Sequence, residues 1–208
     1  MAAVIVPIFP LPDVTFFPGT LLPLHVFEAR YRAMVHDALD LQRRIAVVQL
    51  KPGHDANYAG KPAVHAIAGM GEIVGAERLP TCRYNIVLRG QCRVRIEGEM
   101  PSDTLYRIVA AERLEEDGPR GDVTPALERI RTACRRLLKA LDRPLDLLDA
   151  TLAPSQPPGI IADKIAAAVL PSASLRQELL ETLDVARRLE RVGTALDELI
   201  RELTGGRE

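Results

Sequence analysis

Residues that could do chemistry are sparse in this chain and badly spaced for it. The four histidines, His25, His36, His54 and His65, stand far apart and match no HExxH-type pattern, so a metal role is a minority reading beside surface or satisfied core histidines. The serines Ser102, Ser155, Ser172 and Ser174 include none in GxSxG, and three of them fit turns or a helix cap. Cys82, Cys92 and Cys134 are an odd set without CxxC spacing, which argues against a disulfide framework or structural zinc and for free thiols. The glycine cluster Gly69-Met70-Gly71-Glu72-Ile73-Val74-Gly75 misses the dinucleotide spacing and leads into no helix; it reads as bulge or close-packing glycines in a strand. No P-loop occurs. The expectation is a protein without catalytic, cofactor or metal sites, hence not an enzyme.

What remains is binding. Phe16, Phe17 and Tyr58 are the candidates for an apolar surface gripping unfolded or extended polypeptide, against the alternative that the phenylalanine pair supplies core area. Arg83, Arg89, Arg93 and Arg95 could form a basic stripe for nucleic acid. With 27 Lys+Arg against 28 Asp+Glu there is no global positive field, so the solvated-face reading is preferred and nucleic acid is the alternative.

The elements that would position these residues divide the chain. All eight aromatic residues, four Phe and four Tyr, precede residue 107. The stretch to Glu116 reads as strands and the rest as helices, with the boundary in the charged, Gly- and Pro-containing segment from Glu115 to Asp122, giving units 1–116 and 117–208. Val4 to Phe9 is a strand that Pro7 assigns to an edge or an irregularity. Phe17-Pro18-Gly19-Thr20 is a turn. Phe27, Tyr31, Met34, Val35, Ala38 and Leu39 make one helical stripe. Ile45 to Leu50 is a buried-type strand, followed by an exposed loop to Ala63. Arg83 to Glu97 reads as a hairpin turning at Gly90-Gln91, and Leu105 to Leu114 as another strand. Together they predict a strongly curved sheet or partial barrel rather than a βαβ fold.

In the second half, Thr124 and Pro125 open a helix that Pro144 stops. A second helix runs from about Ile160 to Leu170. A capping box from Ser174 to Gln177 starts a last helix whose seam steps from Leu175 to Leu203, roughly 40 Å of helix at 1.5 Å per residue. Such a length predicts bridging to the first half or pairing between two copies through the C-terminal helix. The opening run MAAVIVPIFPLPDV lacks basic residues and is broken by prolines, so neither a signal peptide nor a membrane helix is expected and the location is cytoplasmic.

Ile8-Phe9-Pro10-Leu11-Pro12-Asp13-Val14, Phe17-Pro18-Gly19, Leu22-Pro23-Leu24-His25-Val26-Phe27-Glu28 and Arg30-Tyr31 closely resemble the opening of the amino-terminal, substrate-binding domain of Lon ATP-dependent proteases. The likeness continues through the Gly69 strand, the Gly90 to Ile96 segment, Ile161 to Ala166 and Gln177 to Leu189, in order, over nearly the whole chain. The resemblance implies an α+β fold: a PUA-like pseudo-barrel followed by a helical bundle with a long C-terminal helix. It also implies a non-catalytic module for unfolded or extended polypeptide, as adaptor or sensor, with a separately encoded ATPase or protease as a further partner. The expectation is a free-standing domain, because Lon would continue beyond Glu208 into a nucleotide-binding module and a Ser-Lys peptidase.

Overall fold

The computed structural model describes residues 3–53 and 60–205. It forms two compact units, Met1–Glu115 and Glu116–Glu208. The first carries strands β1 (Val4–Leu11), β2 (Leu21–Val26), β3 (Arg44–Gln49), β4 (Ile67–Arg78), β5 (Tyr84–Glu99) and β6 (Ile108–Leu114), with helix α1 (Ala29–Asp40) between β2 and β3. The second carries α2 (Thr124–Ala140), α3 (Pro158–Val169), α4 (Ala173–Glu181) and α5 (Val185–Gly205). The architecture is α+β.

The six strands lie in the order β2-β5-β4-β3-β1-β6, and β6 returns to pair with β5. Five strands therefore close into a barrel, and β2 remains outside it as an edge. Closure depends on the length of β5. Its first half, Tyr84 to Arg89, pairs with β2, and its second half, Arg93 to Glu99, pairs with β6, while β4 runs along nearly all of it. The segment read as a hairpin is thus one continuous strand, and Gly90 is not a turn. A Cβ on Gly90 would collide with the Phe17 backbone carbonyl, so this glycine serves close backbone approach instead. Beside it the pairing with β4 shifts by one residue at Gln91, a bulge.

That bulge explains how one alternating pattern fills two cores. Tyr84, Ile86 and Leu88 pack with Phe16, Val26 and the α1 residues Tyr31, Met34 and Val35. Cys92 and Val94, of the same parity, fall among Val6, Ile8, Ala46, Val48, Ala68, Met70, Val109 and Ala111, side chains from all five barrel strands. One extra residue turns the strand's apolar side from the layer under α1 into the barrel interior.

β1 and β3 pair in parallel, joined through β2 and α1; all other pairs are antiparallel. Pro7 sits where β1 changes partner. Val4 to Pro7 pair with β6 and Ile8 to Leu11 with β3, so each half is an edge on one side and the missing proline N–H falls at the changeover.

The second unit corrects three expectations. The N-terminus of α2 is capped not by the Thr124 side chain but by Asp122, whose Oδ1 accepts from the Thr124 N–H at 2.9 Å. Ser172, not Ser174, caps α4, accepting from the Leu175 N–H at 3.2 Å. The long last helix is two helices, because the chain leaves the helical path between Glu181 and Val185. Thr182 Oγ1 donates back to the Glu178 carbonyl, and Asp184 Oδ1 accepts from the Arg187 N–H to cap α5. The 21 residues of α5 then span about 30 Å. Its seam residues Leu189, Val192, Leu196 and Ile200 are buried within the unit, where α5 packs on α2 and α3.

Arg188, at the start of that seam, is fully buried. Its Nη2 donates to Glu116 Oε1 at 2.6 Å and its Nη1 to the Thr182 carbonyl at 2.7 Å. Its Nε lies 3.1 Å from Asp163 Oδ1, close enough for an ion pair but poorly aligned for a hydrogen bond. Asp163 is equally buried on α3. Gly159 leaves room for this cluster, since a Cβ there would meet Arg188 Nη2 and Glu116 Oε2 at 2.7 Å. One cation so tied to two carboxylates and a carbonyl fixes α3, α5 and the chain's entry into this unit in one register.

Candidate functional site: the open edge of the barrel

Phe16 and Phe17 are 1% and 0% exposed, so the phenylalanine pair is core and offers no gripping surface. The reason lies in the turn that follows them. Gly19 has φ 72°, Thr20 Oγ1 donates to the Phe17 carbonyl at 2.7 Å, and Gly19 N–H donates to Gly90 O at 3.0 Å. The turn is thereby pinned over β5, and Phe16 is carried under α1. Tyr58 and His54 lie outside the described residues.

One surface that exposes apolar side chains lies next to that turn; Ile5, Leu41 and Leu105 are exposed elsewhere on the first unit. Leu21 is 64% and Phe27 60% exposed. Phe27 precedes α1 and does not join its buried stripe; its ring stacks against His25 with centroids 6.3 Å apart. Leu21, Pro23 and His25 are the exposed alternate residues of β2, and Leu22 and Leu24 turn toward the core. On neighbouring strands the exposed face continues in register. Pro23 lies opposite Val87 and then Gly75, and His25 opposite Asn85 and then Glu77. Polar side chains bind one another along the second row: His25 Nδ1 is 2.8 Å from Asn85 Oδ1, and Asn85 Nδ2 donates to Glu77 Oε2 at 3.0 Å. With the imidazole N–H on Nδ1, this relay orients the ring against Phe27.

β2 contains no Lys, Arg, Asp or Glu. Edge strands are ordinarily protected by charges; this six-residue edge carries Pro23 instead. The signal was present in Leu21-Leu22-Pro23-Leu24-His25-Val26, a charge-free run containing proline. Sequence reasoning missed it because the helical spacing from Phe27 to Tyr31 assigned Phe27 to a buried stripe.

A cleft of about 600 Å³ lies elsewhere on the first unit, between α1 and the segment from Met100 to Arg107. Its cations are already matched. Arg30 pairs with Glu28 at 2.9 Å, and Lys61 and Arg107 share Glu99 at 3.0 and 2.6 Å. Burial works to raise the Glu99 pKa, but those two hydrogen-bonded cations outweigh it and hold the carboxyl below its ordinary range. Tyr106 O–H donates to Asp37 Oδ2 at 2.8 Å; burial and that carboxylate push its pKa up to about 12. The groups stabilise each other and leave no poised nucleophile or base among the described lining residues.

The hairpin arginines do not line one exposed face. Arg93 is 1% exposed, whereas Arg95 pairs with Glu112 at 3.1 Å and Arg89 approaches Glu72 at 3.7 Å. The bulge at Gln91 separates them, because it turns the strand between Arg89 and Arg93. The thiols are equally unremarkable: burial raises the pKa of Cys92, and that of Cys134 to about 11, and Cys82 is exposed. No group of His, Cys, Asp and Glu among the described residues is arranged to hold a metal ion. No helix among them is long and apolar enough to cross a membrane.

The first unit is thus a closed five-stranded barrel with one uncharged edge strand, followed in the chain by a helical unit. The family model for the substrate-binding domain of the ATP-dependent protease La (Lon) matches residues 5–198, and the chain belongs to that family. It is 24% identical over 192 residues to the Lon protease of Desulfosudis oleivorans, covering 92% of this chain and 24% of that protein. It is 28% identical over 192 residues to Lon protease 1 of Syntrophobacter fumaroxidans, covering 89% and 23%. The chain thus spans about a quarter of the length of these relatives. In fold it is similar to the N-terminal domain of a Mycobacterium avium complex Lon protease, with TM-score 0.72, 16% identity and coverage of 99% of this chain and 100% of that one. A Lon N-terminal domain protein from Xanthomonas campestris aligns with TM-score 0.65 and 23% identity over 91% and 96%.

Proposed function

We propose that the protein is a non-catalytic recognition module for unfolded or extended polypeptide, acting in the cytoplasm as an adaptor or sensor alongside a separate ATPase or protease. The observation that carries this reading is the uncharged β2 edge with Leu21 and Phe27 exposed, in a chain of the Lon substrate-binding family. A surface of this kind stabilises a partner by removing apolar area from water, about 25 cal/mol per Å², and so selects for exposed apolar segments rather than for one sequence.

The test is fluorescence anisotropy with a reduced and alkylated protein that cannot refold. The intact chain binds it, and the double substitution Leu21→Asp, Phe27→Asp weakens binding by at least about tenfold, the equivalent of roughly 1.4 kcal/mol, without loss of helical or strand signal in circular dichroism. A folded chain that fails to bind the unfolded probe rejects the reading.

A further inference from the structure

We infer that the outer edge of β2 binds by strand addition: an extended apolar segment, with an acidic residue at the end lying beside Val26, becomes the next strand of the sheet. This rests on the polypeptide reading above and specifies its geometry. The direction of the β2 backbone follows from one hydrogen bond and the register. Gly90 N–H donates to the Thr20 carbonyl at 2.9 Å, so Thr20 faces β5. Alternation along an antiparallel pair then turns the backbone groups of Leu22, Leu24 and Val26 toward β5 and those of Leu21, Pro23 and His25 outward. Pro23 supports this independently, because the residue lacking an N–H stands where no bond to β5 is lost.

The outward row is therefore N–H groups of Leu21 and His25 and carbonyls of Leu21, Pro23 and His25, spaced two residues apart. That repeat of about 6.6–6.8 Å is the one a second extended chain presents, and a docked helix does not match it. No described strand covers it, since β2 ends the sheet order. The charge around the row chooses the occupant's side chains. Along β2 itself there is none, which admits an apolar stretch. Of the nearby carboxylates Glu72 is matched by Arg89 at 3.7 Å, and Glu77, bonded to the neutral Asn85 amide, keeps its charge against the two arginines beyond it. At the Val26 end, Arg78 and Arg83 flank Tyr84, the register partner of Val26, and both are exposed. A positive end beside a neutral edge complements an apolar segment that finishes in Asp or Glu.

The experiment uses the full chain and a short fluorescein-labelled peptide of alternating Val and Thr with Asp at one end, compared with versions N-methylated at single amides. N-methylation at alternate positions weakens binding between about twofold and tenfold each and has little effect at the positions between, the period of a strand ladder. Saturating peptide slows amide exchange at Leu21 and His25 and leaves Leu22 and Leu24, already bonded to β5, unchanged. Leu21→Pro removes one outward donor and no β5 bond, so it weakens binding by a similar factor; Leu21→Glu, which keeps the backbone intact, serves if the proline variant unfolds. Equal affinity for all N-methylated peptides overturns strand addition and leaves the polypeptide reading standing. Failure of both this peptide and the unfolded probe to bind removes both. A dimer of the chain that dissociates as the peptide binds overturns the assignment in favour of a second copy at the edge.

Discussion

The two units solve the problem of a unique interior in opposite ways. The β-rich unit, apart from the buried Arg93 and Gln49, has apolar cores and gains its specificity from close backbone approach, at Gly69 and Gly90 against the carbonyls of Phe16 and Phe17. The helical unit places a charge at its centre, Arg188 between Asp163 and Glu116. Apolar side chains tolerate exchange of similar volumes, and a barrel closed by a bulge can still leave one strand over for a partner. A buried ion cluster tolerates very little, because removing one member strands the others without water. The β-rich unit keeps an uncharged edge strand, and the helical unit is held by charge at its centre while Leu145 and Leu147 stay exposed on its surface.

The sharpest way to break that comparison is Asp163→Ala. It removes one buried carboxylate from Arg188, which keeps Glu116 and the Thr182 carbonyl, and costs roughly 3 kcal/mol, the low end for a broken buried pair because those partners persist. Urea unfolding followed by amide exchange should show protection lost across α3 and α5 and retained in β3, β4 and β5. Loss of protection everywhere at once would mean that the two units are not energetically separate. Gly90→Ala comes next, at about 1–3 kcal/mol, since the added methyl can be housed only by moving the Phe17 turn. The same measurement should now place the loss in β2 and the first half of β5, with α5 unaffected.

The smallest effect concerns Tyr106. Its phenol, raised to about 12, favours the folded state below pH 10 and loses that contribution as pH rises from 10 to 12, where the unfolded chain ionises first. Tyr106→Phe removes one late-titrating phenolate from the absorbance titration and costs no more than about 1 kcal/mol at neutral pH, the hydrogen bond to Asp37 being only partly shielded from water. A native titration complete near pH 10 would show that neither the burial of the phenol nor its Asp37 contact holds in solution.

Much of the architecture could be read from residue order. The change of period near Glu116, the α1 stripe from Tyr31 to Ala38 and the Phe17-Pro18-Gly19 turn are local patterns, and local patterns depend on neighbours in the chain. The errors share a cause. Gly90 looks like a turn because glycine's tolerance of tight backbone is the same whether the chain reverses or another segment presses on it. Ser174 and Thr124 look like caps because a hydroxyl at a helix start satisfies the same amides as the residues two positions earlier that actually do so.

The sequence by itself determined an α+β chain, a β-rich half before a helical half, an apolar α1 face and the absence of any spaced catalytic motif, because composition and periodicity act over a few residues. Only the tertiary structure decided that β5 is one strand closing a barrel, that Phe16 and Phe17 are core while Leu21 and Phe27 are surface, and that Arg188 finds its carboxylates. Those outcomes depend on which segments meet across long stretches of chain, and the free energy of such meetings is written in packing and hydrogen bonding rather than in any local run of residues.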